Sequence, residues 1–396
     1  MPAHDSPVTF FDRSNLPARQ ILGNLRLVLR DRILDGAVEL CGDRIACVHE
    51  APAGEVPAVD GEKDFLLPGL IELHTDNLEK HLLPRSGALW PTMPALLAHD
   101  AQLLAAGITT ALDAVSLGDL EQESVRTATL DETVQALDRA MRHELLRVDH
   151  HLHLRCELCY PQLPQLVSKL IAHPRVRLVS LMDHTPGQRQ YRDVEQYRRY
   201  YAHTGTTWDD TRFAQLIEER ARQQQRYRET HMAFVVEQAR THSAVLASHD
   251  DTEHAHVDEA RAIGARIAEF PVTLDTARAA RAAGLTIVAG AANLVRGGSH
   301  SGNVAAIELA RADCLDILSS DYVPASLLHG AFLLHHEARW DLPRAIASVT
   351  HAPAQALGFA DRGEIAPGLR ADLVQVRLID GLPVVRAVWR GGVRLL

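Results

Sequence analysis

Paired cysteines are missing from this chain. It has five, Cys41, Cys47, Cys156, Cys159 and Cys314, an odd and scattered set. Such a set does not make the disulfide framework of a small secreted domain, so a reducing compartment is expected. Cys156 and Cys159 have Cys-x-x-Cys spacing, but no second pair accompanies them and the stretch is strand-like. They read as buried thiols rather than a zinc knuckle or redox motif. Long hydrophobic runs are missing too. No apolar stretch is long enough to span a bilayer, and the opening Met1-Pro2-Ala3-His4-Asp5-Ser6 lacks the charged and apolar regions of a signal peptide. A cytoplasmic protein without membrane contact is expected. Positive charge is short as well, with 41 Lys and Arg against 51 Asp and Glu. That balance argues against nucleic acid as a partner, and any anionic ligand must be met by a local cationic pocket. Internal repeats and low-complexity linkers are absent.

What is plentiful is histidine, 22 in 396 residues. Imidazole binds metals and moves protons near neutral pH, so the bias favours metal chemistry. The length fits one large α/β barrel plus a smaller unit. From Ile21 the chain alternates like a strand, and Gly42-Asp43-Arg44 makes a hairpin turn. From Phe65 the texture changes to strand–helix alternation. Strand-like runs at 65–75, 107–115, 151–158, 176–182, 244–248, 265–270, 285–290 and 315–320 are separated by helical stretches. This pattern predicts a closed parallel (β/α)8 barrel of the TIM type over 65–361. After it, short strands return. Residues 18–64 and 362–396 are therefore expected to form one small β-sandwich domain into which the barrel is inserted. The Arg-, Gln- and Tyr-rich stretch 185–230 is expected to form exposed helices after the fourth strand.

Polar residues fall repeatedly at the carboxyl ends of these strands, where such barrels place their active sites. The densest cluster is Pro68-Gly69-Leu70-Ile71-Glu72-Leu73-His74-Thr75-Asp76-Asn77-Leu78-Glu79-Lys80-His81. His74 and Asp76 are two apart, so in a strand they share a face. Glu157 ends the third strand, His184 follows the fourth, His249 the fifth and Asp321 the eighth, with His254 and His256 as rivals to the histidines. These imidazoles and carboxylates can hold one or two divalent ions, with Glu157 able to bridge them. Zinc is the first expectation, with manganese or iron as alternatives. A site of this kind generates hydroxide near neutral pH and stabilises attacking and leaving oxygens. Asp321 is placed to take the proton of the water. His150, His151 and His153 read as packing groups or as partners standing behind the ligands, and His335 with His336 as structural. The stretch 188–201 reads as a solvated helix face, a lid carrying Arg189 or Arg192, or an oligomer contact.

The run Pro68 to Asp76, the strand-end histidines, Ser320-Asp321 and the closing Gly363-Glu364-Ile365-Ala366-Pro367-Gly368-Leu369-Arg370-Ala371-Asp372-Leu373 together resemble the amidohydrolase superfamily over nearly the whole chain. Within it, His74 to His81 is similar to the branch that cleaves the 5-triphosphate of a phosphonylated ribose in the carbon–phosphorus lyase pathway. The chain departs from the superfamily in three places. Asp76 stands where the second histidine of His-x-His is usual, Glu157 replaces a carboxylated lysine, and the 185–230 insertion separates His184 from His249 more widely than usual. The resemblance implies hydrolysis at the phosphorus nearest the sugar, giving pyrophosphate and a 5-phosphate. It also implies a small phosphorylated sugar as substrate and a homo-oligomer. The loop after the seventh strand suits this, because its glycines let N–H groups approach phosphate and a helix N-terminus follows. Arg296, Ser299 and His300 of that loop are candidate substrate-binding residues, as are Lys80 and His81, with Arg85 nearby. Two other readings are a deacetylase or deaminase of a small amide or amidine, and a non-catalytic barrel. Asp76 and the Arg296 loop count against the first. The ligand types kept at the strand ends count against the second.

Overall fold

The computed structural model describes residues 19–50, 59–85, 87–119, 125–195, 197–198, 208–299 and 302–396. Eight parallel strands lie in one sheet in chain order. They are β1 (Leu70–Thr75), β2 (Ile108–Leu117), β3 (Asp149–Glu157), β4 (Val176–Met182), β5 (Val245–His249), β6 (Ile267–Glu269), β7 (Thr286–Gly290) and β8 (Ile317–Ser319). A parallel bridge from Thr75 to Asp321 ties the end of β1 to the residues after β8, so the sheet closes on itself as a barrel. Every residue of β1 and β2 is buried. That is the mark of a parallel strand covered on both faces, and it explains why these segments run apolar rather than alternate. Helices separate successive strands, among them Thr92–Ala105, Leu163–Leu170, His254–Ala262 and Leu274–Ala282. No helix among the described residues is long and apolar enough to cross a membrane.

The two ends of the chain form a second sheet, in the order Val393–Arg394, Leu382–Arg390, Leu373–Ile379, Phe65–Pro68, Gln20–Val28, Ile33–Cys41, Arg44–Glu50, with Val59–Asp60 beside Gln20–Val28. Its core gathers Leu22, Leu27, Leu40, Leu66, Leu373 and Trp389. One strand differs from expectation. Phe65–Pro68 is not the start of the first barrel strand. It pairs antiparallel with Leu373–Val376 and parallel with Arg26–Leu27 in the terminal sheet. The chain changes sheets at Gly69, where a Cβ would stand 2.2 Å from Oγ1 of Thr109. Only glycine fits so close to its neighbour, which accounts for the Pro-Gly in the sequence.

The chain divides into two compact units, one of residues up to 113 with 131–150 and 318–396, the other of 114–130 and 151–317. In the first, the seam of the barrel is held by a carboxylate. Glu72 is fully buried and accepts hydrogen bonds from the His74 N–H at 2.8 Å, the Ser319 hydroxyl at 2.8 Å and the Ser320 N–H at 2.8 Å. Burial pushes its pKa up, against the pull of those donors. In the second, the stretch after β4 is more than exposed helix. The 32-residue helix Asp210–Thr241, capped by the Asp209 side chain, packs Phe213 and Leu216 against Tyr191 and Tyr197. Tyr197 stacks on Trp208 with ring centroids 6.3 Å apart. The aromatics scattered among the arginines and glutamines give this segment a small core of its own.

Replacing Glu72 with Ala leaves three donors at the seam without their acceptor. Urea denaturation should show a loss of about 3 kcal/mol or more, and a loss below about 1 kcal/mol would mean the seam does not depend on this carboxylate.

Candidate active site

The first unit holds the candidates His74, Asp76 and Asp321. His74 is buried at the end of β1. Asp76 precedes the helix Asn77–Leu82, and its side chain does not cap that helix. Asp321 is locked to both by backbone bonds: its N–H donates to the His74 carbonyl at 3.1 Å and its carbonyl accepts from the Asp76 N–H at 3.1 Å. The Thr75 hydroxyl donates to the same carbonyl at 2.9 Å. Asp321 takes a left-handed backbone, φ 58°. The same conformation follows β5 at Asp250 and β6 at Phe270, each with φ 54°. Outside glycine this region costs roughly 1–2 kcal/mol, and for a bulky residue such as Phe270 it is a true outlier. Strain recurring at strand ends is the pattern of sites whose side chains must be aimed. Lys80 donates to the Tyr322 carbonyl, with its ammonium 4.6 Å from the Tyr322 ring centre.

The second unit holds the candidates Glu157, His184 and His249. Glu157 is buried at the end of β3 and bonds His184 Nδ1 at 2.7 Å. Burial drives the Glu157 pKa up. For His184 burial works the other way, but the Glu157 charge and hydrogen bond outweigh it and raise the imidazole. The His184 and His249 rings are 6.1 Å apart. His184, His249 and Asp250 each offer a ligand atom within 4.8 Å of the others. Glu269 at the end of β6 bonds His249 Nδ1 at 3.1 Å and accepts from the Ser180 hydroxyl at 2.5 Å. That hydroxyl also meets His153 Nε2, at 2.5 Å. The insertion therefore does not part His184 from His249. The rivals lie elsewhere: His254 is exposed and pairs with Asp275 at 2.8 Å, and His256 Nδ1 accepts from the Thr252 N–H at 3.1 Å.

Three residues of this region did not emerge from the sequence. Asp250 and Glu269 are carboxylates at strand ends, the same signal that marked Glu157, and were readable on that rule. For Arg189 the sequence pattern suggests a solvated face or a lid. Instead it is buried, donating to the His249 carbonyl at 2.6 Å and pairing with Asp251 at 2.5 Å. Arg192 is exposed, as is Arg296, the last residue of Ala291–Arg296. The Arg296 side chain has no hydrogen-bond or ion-pair partner among the described residues. The loop beyond it is held by Asn293, whose carboxamide oxygen accepts from the Ala306 N–H at 3.0 Å. Ser299 is half-buried, and His300 lies outside the described residues. All five cysteines are free, and burial drives the Cys156 and Cys159 thiols upward.

A separate buried network fills the first unit. His150 bonds Asp113 at 2.7 Å and Asp100 at 3.3 Å, and Asp113 also bonds His99 at 2.8 Å. Burial opposes a charge on His150, but the Asp113 charge and the bonds to both carboxylates outweigh it, and its pKa is pushed up to about 10. A histidine raised in the folded state contributes stability that is full below its unfolded value and fades as pH rises through the folded one. The melting temperature should therefore fall more steeply between neutral pH and about 10 in this protein than in His150→Gln. Equal slopes would mean that His150 is not charged in the fold.

The amidohydrolase family matches residues 65–395. The alpha-D-ribose 1-methylphosphonate 5-triphosphate diphosphatase of Escherichia coli (strain K12) is 44% identical over 377 residues, spanning 95% of this chain and 100% of that protein. Among solved structures, the 5-methylcytosine deaminase from Klebsiella pneumoniae liganded with phosphonocytosine is 17% identical with TM-score 0.63, over 95% of this chain and 98% of that one. The N-acetylglucosamine-6-phosphate deacetylase from Pasteurella multocida is 13% identical with TM-score 0.59, over 95% and 99%. At such identities these two structures speak for the fold alone.

Proposed function

The chain belongs to the amidohydrolase family, and from that premise we propose that it hydrolyses α-D-ribose 1-methylphosphonate 5-triphosphate to the 5-phosphate and pyrophosphate, a step of phosphonate breakdown. One observation carries this: 44% identity along the full length of a diphosphatase named for that substrate. In this reading a water oxygen bonds the phosphorus nearest the sugar, the bond from that phosphorus to its bridging oxygen breaks, and pyrophosphate leaves.

The donor set suits one or two divalent ions, zinc first. Half-buried His184 and buried His249 and Asp250 offer nitrogen and oxygen donors close to one another, the mixture that zinc, manganese and iron accept. His74, Asp76, Glu157, His184, His249 and Asp321 would hold the ions, with Asp250 and Glu269 as added candidates. Bound ions would lower the pKa of water and draw charge from the phosphoryl oxygens. Asp321, fixed by three bonds to Thr75, His74 and Asp76, takes the proton of the attacking water. Lys80, His81, Arg296, Ser299 and His300 meet the triphosphate. A guanidinium binds such oxygens in bidentate fashion, and Arg296 is exposed. A neutral amide or amidine needs no such cations, which sets this reading above a deacetylase or deaminase.

Phosphorus NMR of the metal-supplemented reaction should show pyrophosphate and a 5-monophosphate together. Orthophosphate as first product would move the attack to the terminal phosphorus, and no turnover at full metal occupancy would overturn the substrate. Asp321→Asn should lower kcat by about a thousandfold without loss of bound metal comparable to that loss of rate.

A further inference from the structure

His81 is the end of a chain of hydrogen bonds that starts deep in the first unit. Asp113 on β2 faces His99 Nε2 at 2.8 Å. His99 Nδ1 faces the carboxamide nitrogen of Asn77 at 3.0 Å, and that nitrogen also donates to Gln102 Oε1 at 2.9 Å. The same Oε1 meets His81 Nε2 at 2.9 Å. His99 and Asn77 are buried, whereas Gln102 is exposed.

The polarity of this chain follows from what each atom can do. A carboxamide nitrogen only donates, so His99 Nδ1 must accept. A neutral imidazole then carries its proton on Nε2, where it is donated to Asp113. Burial, which lowers the His99 pKa against the pull of Asp113, agrees with a neutral ring. A carbonyl oxygen only accepts, so Gln102 Oε1 takes one N–H from Asn77 and one from His81 Nε2. That leaves Nδ1 as the nitrogen His81 can offer a ligand. Asn77 directly follows Asp76, so the chain also braces the turn that carries a proposed ligand.

We propose that Asp113, His99, Asn77 and Gln102 form a positioning relay that fixes His81 in one tautomer and orientation for contact with the substrate's phosphates. This rests on the functional reading above, in which His81 binds substrate. Asp113, His99, Asn77 and Gln102 are positioning residues, since they act through His81.

The test uses the full chain. Gln102→Leu removes the exposed member of the chain, and with it the acceptor of both Asn77 and His81. It should keep the melting temperature, raise KM for the ribose triphosphate about tenfold, as expected for one hydrogen bond to a charged partner, and change kcat less. Gln102→Glu keeps the acceptor and should restore KM. His99→Leu breaks the relay at its centre, and His99→Gln, whose carboxamide donates to Asp113 and accepts from Asn77, should recover what it loses. Wild-type KM in Gln102→Leu, or no recovery in His99→Gln, would overturn the relay. Ring-nitrogen NMR with isotope-labelled histidine gives a readout independent of turnover. His99 should show a protected Nε2 proton, and the His81 ring signals should report one tautomer that is lost in Gln102→Leu. If the enzyme fails to turn over the triphosphate while this tautomer shift is seen, the functional reading fails and the bonding relay stands. If the His81 signals are unmoved by Gln102→Leu, the relay fails whatever the activity.

Discussion

The carboxylate of Glu72 is the interaction on which the rest of the first unit depends. A barrel built from a single chain must join its first strand to its last. Here three donors, from His74, Ser319 and Ser320, converge on one buried side chain to do it. Two of those donors are neighbours of functional candidates. The His74 amide is held by Glu72, and Ser320 leads directly into Asp321, whose amide returns to the His74 carbonyl. This side chain therefore closes the fold and sets the separation of His74 from Asp321 at the same time. Burying an acid is costly unless it is satisfied, and the raised pKa of Glu72 records that cost.

The second unit handles its charges by pairing them. Glu157 meets His184, Glu269 meets His249, and Asp250 stands between the two imidazoles. Nitrogen and oxygen donors brought together at strand ends suit divalent ions. Arg189 shows how the insertion serves this arrangement. It reaches back from the segment after β4 to hold the carbonyl of His249 and the carboxylate of Asp251. The insertion is thus a brace for the end of β5, and its own aromatic core around Tyr197 keeps that brace in place. In the first unit the His150, Asp113, Asp100 network does comparable work away from the strand ends, with an imidazole between two carboxylates.

Much of this was legible from local pattern. Alternation of apolar strands with helices marked the barrel, because those periods arise from the backbone itself. The strand-end rule singled out His74, Asp76, Glu157, His184, His249 and Asp321, since a parallel barrel exposes its side chains for chemistry at one end only. The same rule extends to Asp250 and Glu269, which also stand at strand ends. Glu72 was not legible. Two residues before His74 in an apolar run, nothing local distinguishes a seam carboxylate from a stray acid. Phe65–Pro68 has the composition of a buried barrel strand, and composition does not say which sheet a strand joins.

The sequence by itself determined the chemistry available: imidazoles and carboxylates at strand ends, a Pro-Gly where the chain must pass closely by its neighbour, and a cationic loop in a chain of net negative charge. Tertiary structure decided the partners. Thr75 and Asp321 lie 246 residues apart in the chain, yet bond directly. Arg189 leaves the solvent because Asp251 and the His249 carbonyl await it 60 and more residues on. Hydrophobic period specifies which face of an element is buried, and that is a local property. Which buried polar group meets which depends on closure of the barrel, because an unpaired polar group inside is too costly to keep.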